Sequence, residues 1–188
     1  MKATRNYLIG LICAVLTATT TSALAGEQKG PKGDSVIDVA IAANAAGGAF
    51  EGQLDILILA LSSTADEEGD PTLADVLDSR NGQVTVFAPT DDAFGKLPEG
   101  LLGDLLADKA SLVDVLLYHV AKGRRDADDV ITSSQIRMFN GEFVGVTLDG
   151  ELAFLTDNSE ASDDAQIIAV NVPAANGIIH VIDEVLIP

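Results

Sequence analysis

The sequence predicts an α+β fold, and three observations carry that prediction. Apolar residues recur at helical spacing through the first part of the chain. The later part breaks into β-branched and alternating runs separated by Asn-Gly and Asp-Gly turns. The chain then closes on an apolar, β-rich segment, NGIIHVIDEVLIP (Asn176 to Pro188), which belongs inside a sheet built by earlier residues. Helices first and antiparallel strands later argue α+β over alternating α/β. No internal repeat is visible, so one copy of one domain is expected.

Residues 1–25 read as a signal peptide. Lys2 and Arg5 give a positive start, Tyr7 to Leu16 a short apolar core, and Ala23-Leu24-Ala25 the cleavage pattern. A retained anchor is the competing reading, and the apolar core is too short for it. Residues 26–33 form a polar, flexible stub, and residues 34–188 the domain. Asp34 or Ser35 caps a first helix carrying Val36, Ile37, Ala40 and Ile41. Asn44 to Gly48 breaks it. Phe50 to Leu61 is a second helix, with Leu54, Leu57, Ile58 and Leu61 on one side and Ile56 and Leu59 on the other, so burial around most of its circumference is expected.

Ser62 to Pro71, with Asp66, Glu67, Glu68 and Asp70, is an acidic loop. Thr72 restarts a short helix through Leu73, Val76 and Leu77, and Asn81-Gly82 turns the chain. Val84 to Ala88 is a strand ended by Pro89. Thr90 then caps a short helix whose first turn holds Asp91 and Asp92. Pro98 opens another helix with Leu101, Leu102, Leu105 and Leu106 on its apolar face. Ser111 to Leu117 continues the helical pattern into Tyr118-His119-Val120. Gln135–Phe139 and Glu142–Leu148 flank Asn140-Gly141 as a hairpin. Asp149-Gly150 turns into Leu152–Leu155. A polar loop, Thr156 to Asp164, leads to strands at Gln166–Val172 and Gly177–Ile182.

Charge bounds the partners. Lys2 and Arg5 are two of 11 basic residues, which leaves nine against 29 acidic ones in the rest of the chain. Such a chain repels nucleic acid and anionic lipid surfaces. It suits cationic partners, divalent ions or a salty medium, and plain solubility in salt is the reading favoured over a specific cation site. Cys13 is the sole cysteine and lies in the signal peptide, so the domain has no disulfide, thiol nucleophile or thiolate metal site. Tryptophan is absent, which weakens an aromatic platform for sugars.

Three motifs occur in order: TVFAPTDDAF (Thr85 to Phe94), Tyr118-His119, and NGIIHVIDEVLIP. Together they resemble the fasciclin-type adhesion domain, and the likeness covers the chain from about Asp34 to Pro188. The resemblance implies N-terminal helices packed on an antiparallel β-sandwich or wedge. It also implies a non-enzymatic secreted or periplasmic module that binds a cell-surface or matrix protein or glycan. Self-association is a further possibility, and neither a cofactor nor membrane insertion after cleavage is implied. Physically, Thr85, Val86, Phe87, Ala88, Pro89, Thr90 and Phe94 form a strand-to-helix corner fixed by a proline and a cap. Asn176, Gly177, His180, Val181 and Ile182 are likewise scaffold.

The resemblance nominates Tyr118 and His119 as partner-binding residues. The competing reading, favoured by the apolar neighbours Leu116, Leu117 and Val120, buries both with their polar atoms bonded to backbone. His180 invites the same reading. No catalytic residue is expected: both histidines sit in scaffold motifs, and no G-x-S-x-G elbow or phosphate loop appears. Asp157, Glu160, Asp163 and Asp164 crowd oxygens into one loop, yet the spacing is not that of an EF-hand, and a solvated loop is the expectation over a calcium site. The resemblance also implies an alternative function, carriage of an apolar ligand such as a carotenoid, with Ile136, Met138, Phe139 and Phe143 lining a groove or filling the core.

Overall fold

Local chemistry sets the helix ends. Ser35 caps α1 (Val36–Asn44): its hydroxyl accepts the Asp38 N–H at 3.2 Å, and the Asp38 carboxylate accepts the Ser35 N–H at 3.0 Å. The computed structural model describes residues 34–63, 77, 83–150, 152–157, 159 and 163–188. The expected signal peptide, the stub, the Asp66–Asp70 loop and the Thr72 helix apart from Leu77 lie outside the described residues.

The second helix, α2 (Asp55–Ser63), starts later than its apolar run suggests. Turns occupy the stretch before it, with Phe50 N–H bonded to Ala43 O and the Asn44 side chain accepting Leu54 N–H at 2.8 Å. Nor is α2 buried all round: Leu57 and Ala60 face the core, while Leu59 is 54% exposed. The strand β1 (Val84–Pro89) ends at proline, and Thr90 caps α3 (Asp91–Gly95) by accepting the Ala93 N–H. Asp91 also accepts the Ile56 N–H at 2.9 Å, which ties α2 to this corner.

Gly100, at φ +92°, delays the next helix, α4 (Leu101–Ala107), beyond Pro98. Asp108 caps α5 (Lys109–Tyr118), which leads into β2 (Val120–Lys122). A short helix that the sequence pattern does not announce, α6 (Ala127–Thr132), is capped by Asp126. The remaining strands are β3 (Gln135–Arg137), β4 (Phe143–Asp149), β5 (Leu152–Thr156), β6 (Ala165–Ala174) and β7 (Gly177–Ile182).

These form one seven-stranded sheet in the order β2-β1-β7-β6-β5-β4-β3. The sheet is mixed: β1 and β7 run parallel from Val84↔Gly177 to Pro89↔Ile182, and the other pairs are antiparallel. Parallel pairing requires a long crossover, and the domain between Thr90 and Asn176 supplies it. The two outer strands then meet, through an Ala121↔Met138 bridge and Phe139 N–H to Val120 O at 2.8 Å, so the sheet closes toward a barrel.

Closure gives the sheet an inside and an outside. Phe87, Tyr118, Ile136, Met138, Leu155 and Leu186 fill the inside. Outside β1 and β7, Leu54 and the helical residues Val36, Leu57 and Leu116 pack in one core with Val84 and Ile179. All six residues of β7 are therefore buried, whereas β4 has one buried residue, Val144, and turns exposed toward Asp149.

Candidate functional site

The nominated pair sits where α5 ends. His119 is the C-cap, with its N–H bonded back to Leu116 O and Leu117 O. The Tyr118 ring is fully buried in the barrel, and its hydroxyl donates to Phe143 O at 3.2 Å. Burial, then the charges of Asp157 and Glu142, push the phenol up to about 12. His119 is buried on the helix side. Its Nδ1–H donates to Val115 O at 2.8 Å, and its Nε2 accepts the Leu186 N–H at 3.0 Å. A carbonyl can only accept, so these partners fix the neutral tautomer. Burial pushes its pKa down to about 4 against the opposing pull of the Val115 carbonyl and Asp157. Neither side chain presents a polar atom to a partner; both have the buried, backbone-bonded arrangement.

His180 is used in the same way. Its Nε2–H donates to Arg125 O at 2.9 Å, its Nδ1 accepts the Asn171 N–H at 3.4 Å, and its ring stacks on Phe87. Burial lowers its pKa. Asn171 stands at a bulge in β6 with φ +61°, a left-handed conformation that asparagine tolerates, and its side chain accepts the Ala127 N–H at the start of α6. Thr85 Oγ1 donates to Gly123 O and accepts the Arg125 N–H, both at 2.8 Å. Asn176 accepts the Val36 N–H at 2.9 Å and donates to Leu77 O. Gly177 lies so close to Val84 that a Cβ would collide with the Val84 carbonyl. Phe87, Ala88, Thr90, Phe94, Val181 and Ile182 are all buried. The three motifs are therefore spent on fastening β1, β7, α1 and α6 together.

The segment after β7 is held down as well. Asp183 accepts the Gln166 N–H at 2.8 Å, Lys96 Nζ lies 2.7 Å from Glu184, and Asp157 accepts the Ile187 N–H at 2.8 Å. Asp157 also accepts the Ser159 N–H, so this residue, expected in a solvated loop, acts as a clamp. Asp163 and Asp164 are exposed, and Glu160 lies outside the described residues. Among the described residues no cluster of three or more metal-ligating side chains occurs.

The four residues named for an apolar groove do not line one. Alternate positions of a strand face opposite ways, so Ile136 and Met138 fill the barrel while Phe139 packs on the helix side and Phe143 is 46% exposed. Between α1, α2, α5 and β1 lies an apolar cavity of about 30 Å³. That is room for one or two waters, not a polyene.

The surface open to contact elsewhere includes the outside of β4 to β6 and the junction of β2 with β3. Leu148, Leu152, Ile168 and Val170 are exposed on the former. Lys122 and Arg137 stand on the latter, and no local sequence pattern marks them because their juxtaposition depends on closure of the sheet. Among the described residues no helix is long and apolar enough to cross a membrane.

Residues 61–188 match the family model described as the fasciclin domain. The chain is 33% identical over 181 residues to the immunogenic protein MPB70 of Mycobacterium bovis, covering 96% of this chain and 82% of that protein. It is 38% identical over 112 residues to protein sll1483 of Synechocystis, covering 58% of each chain. Among solved structures, a FAS1 domain pair from the insect cell adhesion molecule fasciclin I superposes with a TM-score of 0.51 at 21% identity, covering 72% of this chain and 45% of that one.

Proposed function

This chain belongs to the fasciclin-domain family, and on that premise we propose that it is an exported, non-enzymatic binding module of adhesive type. Its partner is a protein or polysaccharide of a cell surface or extracellular matrix. The observation that supports this reading is the complete use of both histidines: all four ring nitrogens are bonded to backbone groups. A general base needs a free nitrogen at a reacting proton, and neither imidazole has one. The motif residues hold a platform, and recognition falls to its outside. The description of fasciclin I as a cell adhesion molecule points the same way.

Tyr118 and His119 enter this reading indirectly. Tyr118 fixes the Phe143 carbonyl, and so sets where β4 begins and where the exposed Phe143 ring stands. His119 fixes Leu186 and, through it, the terminal segment. Adhesion between two bodies needs two faces, which one domain obtains by self-association or by a second site.

The test is retention of the chain lacking residues 1–25 on immobilised cell-surface and matrix fractions, protein and polysaccharide separately. Saturable retention on one fraction is expected. No retention on either at micromolar protein would remove the reading. Light scattering with and without calcium then decides whether self-association supplies the second face.

A further inference from the structure

Six basic residues fall among the described residues, and four of them, Lys122, Arg124, Arg125 and Arg137, lie in β2, the loop after it and β3. Ala121 faces Met138 across the antiparallel junction. One residue on along β2 and one back along β3 puts Lys122 opposite Arg137, and Arg137 is paired with Phe143 on β4. Ala121, Met138 and Val144 point into the barrel. Lys122, Arg137 and Phe143 therefore point out, as a row across three strands in which the paired Arg137 and Phe143 have Cβ atoms about 5 Å apart. All three are exposed. Lys122 Nζ lies 5.0 Å from the Phe139 ring centroid, and the Arg137 guanidinium carbon 6.0 Å from that of Phe143, so the rings support the two cations.

Like charges directly opposite on a sheet destabilise it. This chain has 29 acidic residues to draw on, yet both salt bridges among the described residues belong to Lys96. Neither Lys122 nor Arg137 pairs with a described carboxylate, Glu142 in the adjoining turn included. The Arg137 Nε–H donates to Gly141 O at 3.3 Å, which leaves its terminal nitrogens and the Lys122 ammonium for an external anion, and such an anion relieves the repulsion between the two cations.

We propose that this row docks an anionic polysaccharide. The inference rests on the binding-module reading and names its site and partner class. An acidic peptide fits less well. An extended peptide gains affinity by adding a strand to an open edge, and here the edge is used: Phe139 N–H is already bonded to Val120 O. Recognition is left to side chains. The guanidinium takes a carboxylate or sulfate through two donors, the ammonium takes a neighbouring one, and the exposed Phe143 ring meets the sugar's apolar face. The formal charge of −18 opposes any polyanion at long range, so binding is confined to the row and weakens with salt.

The test is biolayer interferometry of the chain lacking residues 1–25 against polygalacturonate, dextran sulfate, neutral dextran and poly-L-glutamate, in low salt and at about 0.15 M NaCl, where screening acts within roughly 8 Å. Binding to at least one of the two polyanionic sugars is expected, weaker in the higher salt and absent for neutral dextran. Lys122→Glu with Arg137→Glu should weaken it by roughly tenfold or more, and Lys109→Glu by less than about twofold. Should the charge reversal fail to fold, Lys122→Gln with Arg137→Gln is read in its place. The proposal is overturned by no binding to either sugar, by an unchanged affinity in the double variant, or by equal binding of poly-L-glutamate. Retention of the double variant on the cell-surface fractions as strong as that of the unaltered chain removes the row and leaves the module. Absence of retention for the unaltered chain removes the module.

Discussion

β1 and β7 on one side of the sheet, and β4 and β5 on the other, share hydrogen bonding but not solvent. β7 has helices over one face and the barrel interior on the other, and every one of its residues is buried. β4 has the barrel on one face and water on the other, and beyond Val144 its residues are half-buried or exposed. A strand covered twice reads as a near-continuous apolar run, and a strand covered once reads as alternation. Two of the three motifs, TVFAPTDDAF and NGIIHVIDEVLIP, supply β1 and β7 of the doubly covered half. The half that faces water is where a partner can be met.

Two phenylalanines test that contrast most strongly. Phe87 is fully buried and stacked on His180, so Phe87→Ala should cost about 3–5 kcal/mol. Phe143→Ala, on the open half, should cost about 0.5 kcal/mol or less. Urea denaturation of both variants measures the difference, and equal losses would mean that the two halves are not unlike after all.

Two glycines sharpen it next. A Cβ at Gly177 would strike the Val84 carbonyl and lie 2.9 Å from Val36 Cγ1, so β1 and β7 must separate to admit it. Gly177→Ala should cost about 3 kcal/mol. At Gly145 in β4 the same Cβ meets Thr156 at 3.5 Å, an ordinary contact. Gly145→Ala should shift stability by about 1 kcal/mol at most, and toward greater stability if the unfolded-state entropy term wins.

His119 brings pH into the comparison. Its folded pKa of about 4 lies below the ordinary value of 6.5, so the unfolded chain binds the proton more readily between those values. The neutral ring's contribution is complete above about pH 6.5 and is lost as pH falls toward 4, a decline of about 3 kcal/mol. His180, lowered by burial, acts in the same direction. His119→Gln should be less stable at pH 7, because the Leu186 N–H loses its acceptor, and should show a flatter decline into acid. Identical slopes for the two proteins would assign the acid sensitivity elsewhere.

Much of the covered half was legible in the sequence, for physical reasons. Pro89 and Thr90 announce the end of β1 and the start of α3 by fixed φ and by capping, which are local effects. Asn140-Gly141 announces the β3–β4 hairpin in the same way, with Gly141 at φ +102°. The terminal apolar run announces β7 and its place inside the sheet. Its parallel direction was not legible, because the register Val84↔Gly177 joins residues far apart in the chain. Helix α6 escaped notice because Val130 is its one buried residue, too little to mark a period. The burial of α2 was over-read: apolarity all round does not reveal that Leu59 faces water. The opposition of Lys122 and Arg137 is a product of closure, which no local pattern encodes.

The smallest effect belongs to Lys96, at the border between the covered half and solvent. Its ammonium lies 2.7 Å from Glu184 and 3.6 Å from Asp183, and donates to the Asp183 carbonyl at 2.9 Å. The hydrogen bond to Glu184, ahead of other causes, raises its pKa. The lysine side chain is 46% exposed, so water screens the pair and the contribution is that of a surface bridge. Lys96→Met should cost about 1 kcal/mol or less, and the difference from the unaltered chain should shrink as NaCl rises. Glu184 is only 11% exposed at its side chain, and an unpaired carboxylate there is harder to solvate than Asp183. A loss that salt leaves unchanged would mean that Lys96 acts through something other than its charge, since methionine keeps most of the packed stem.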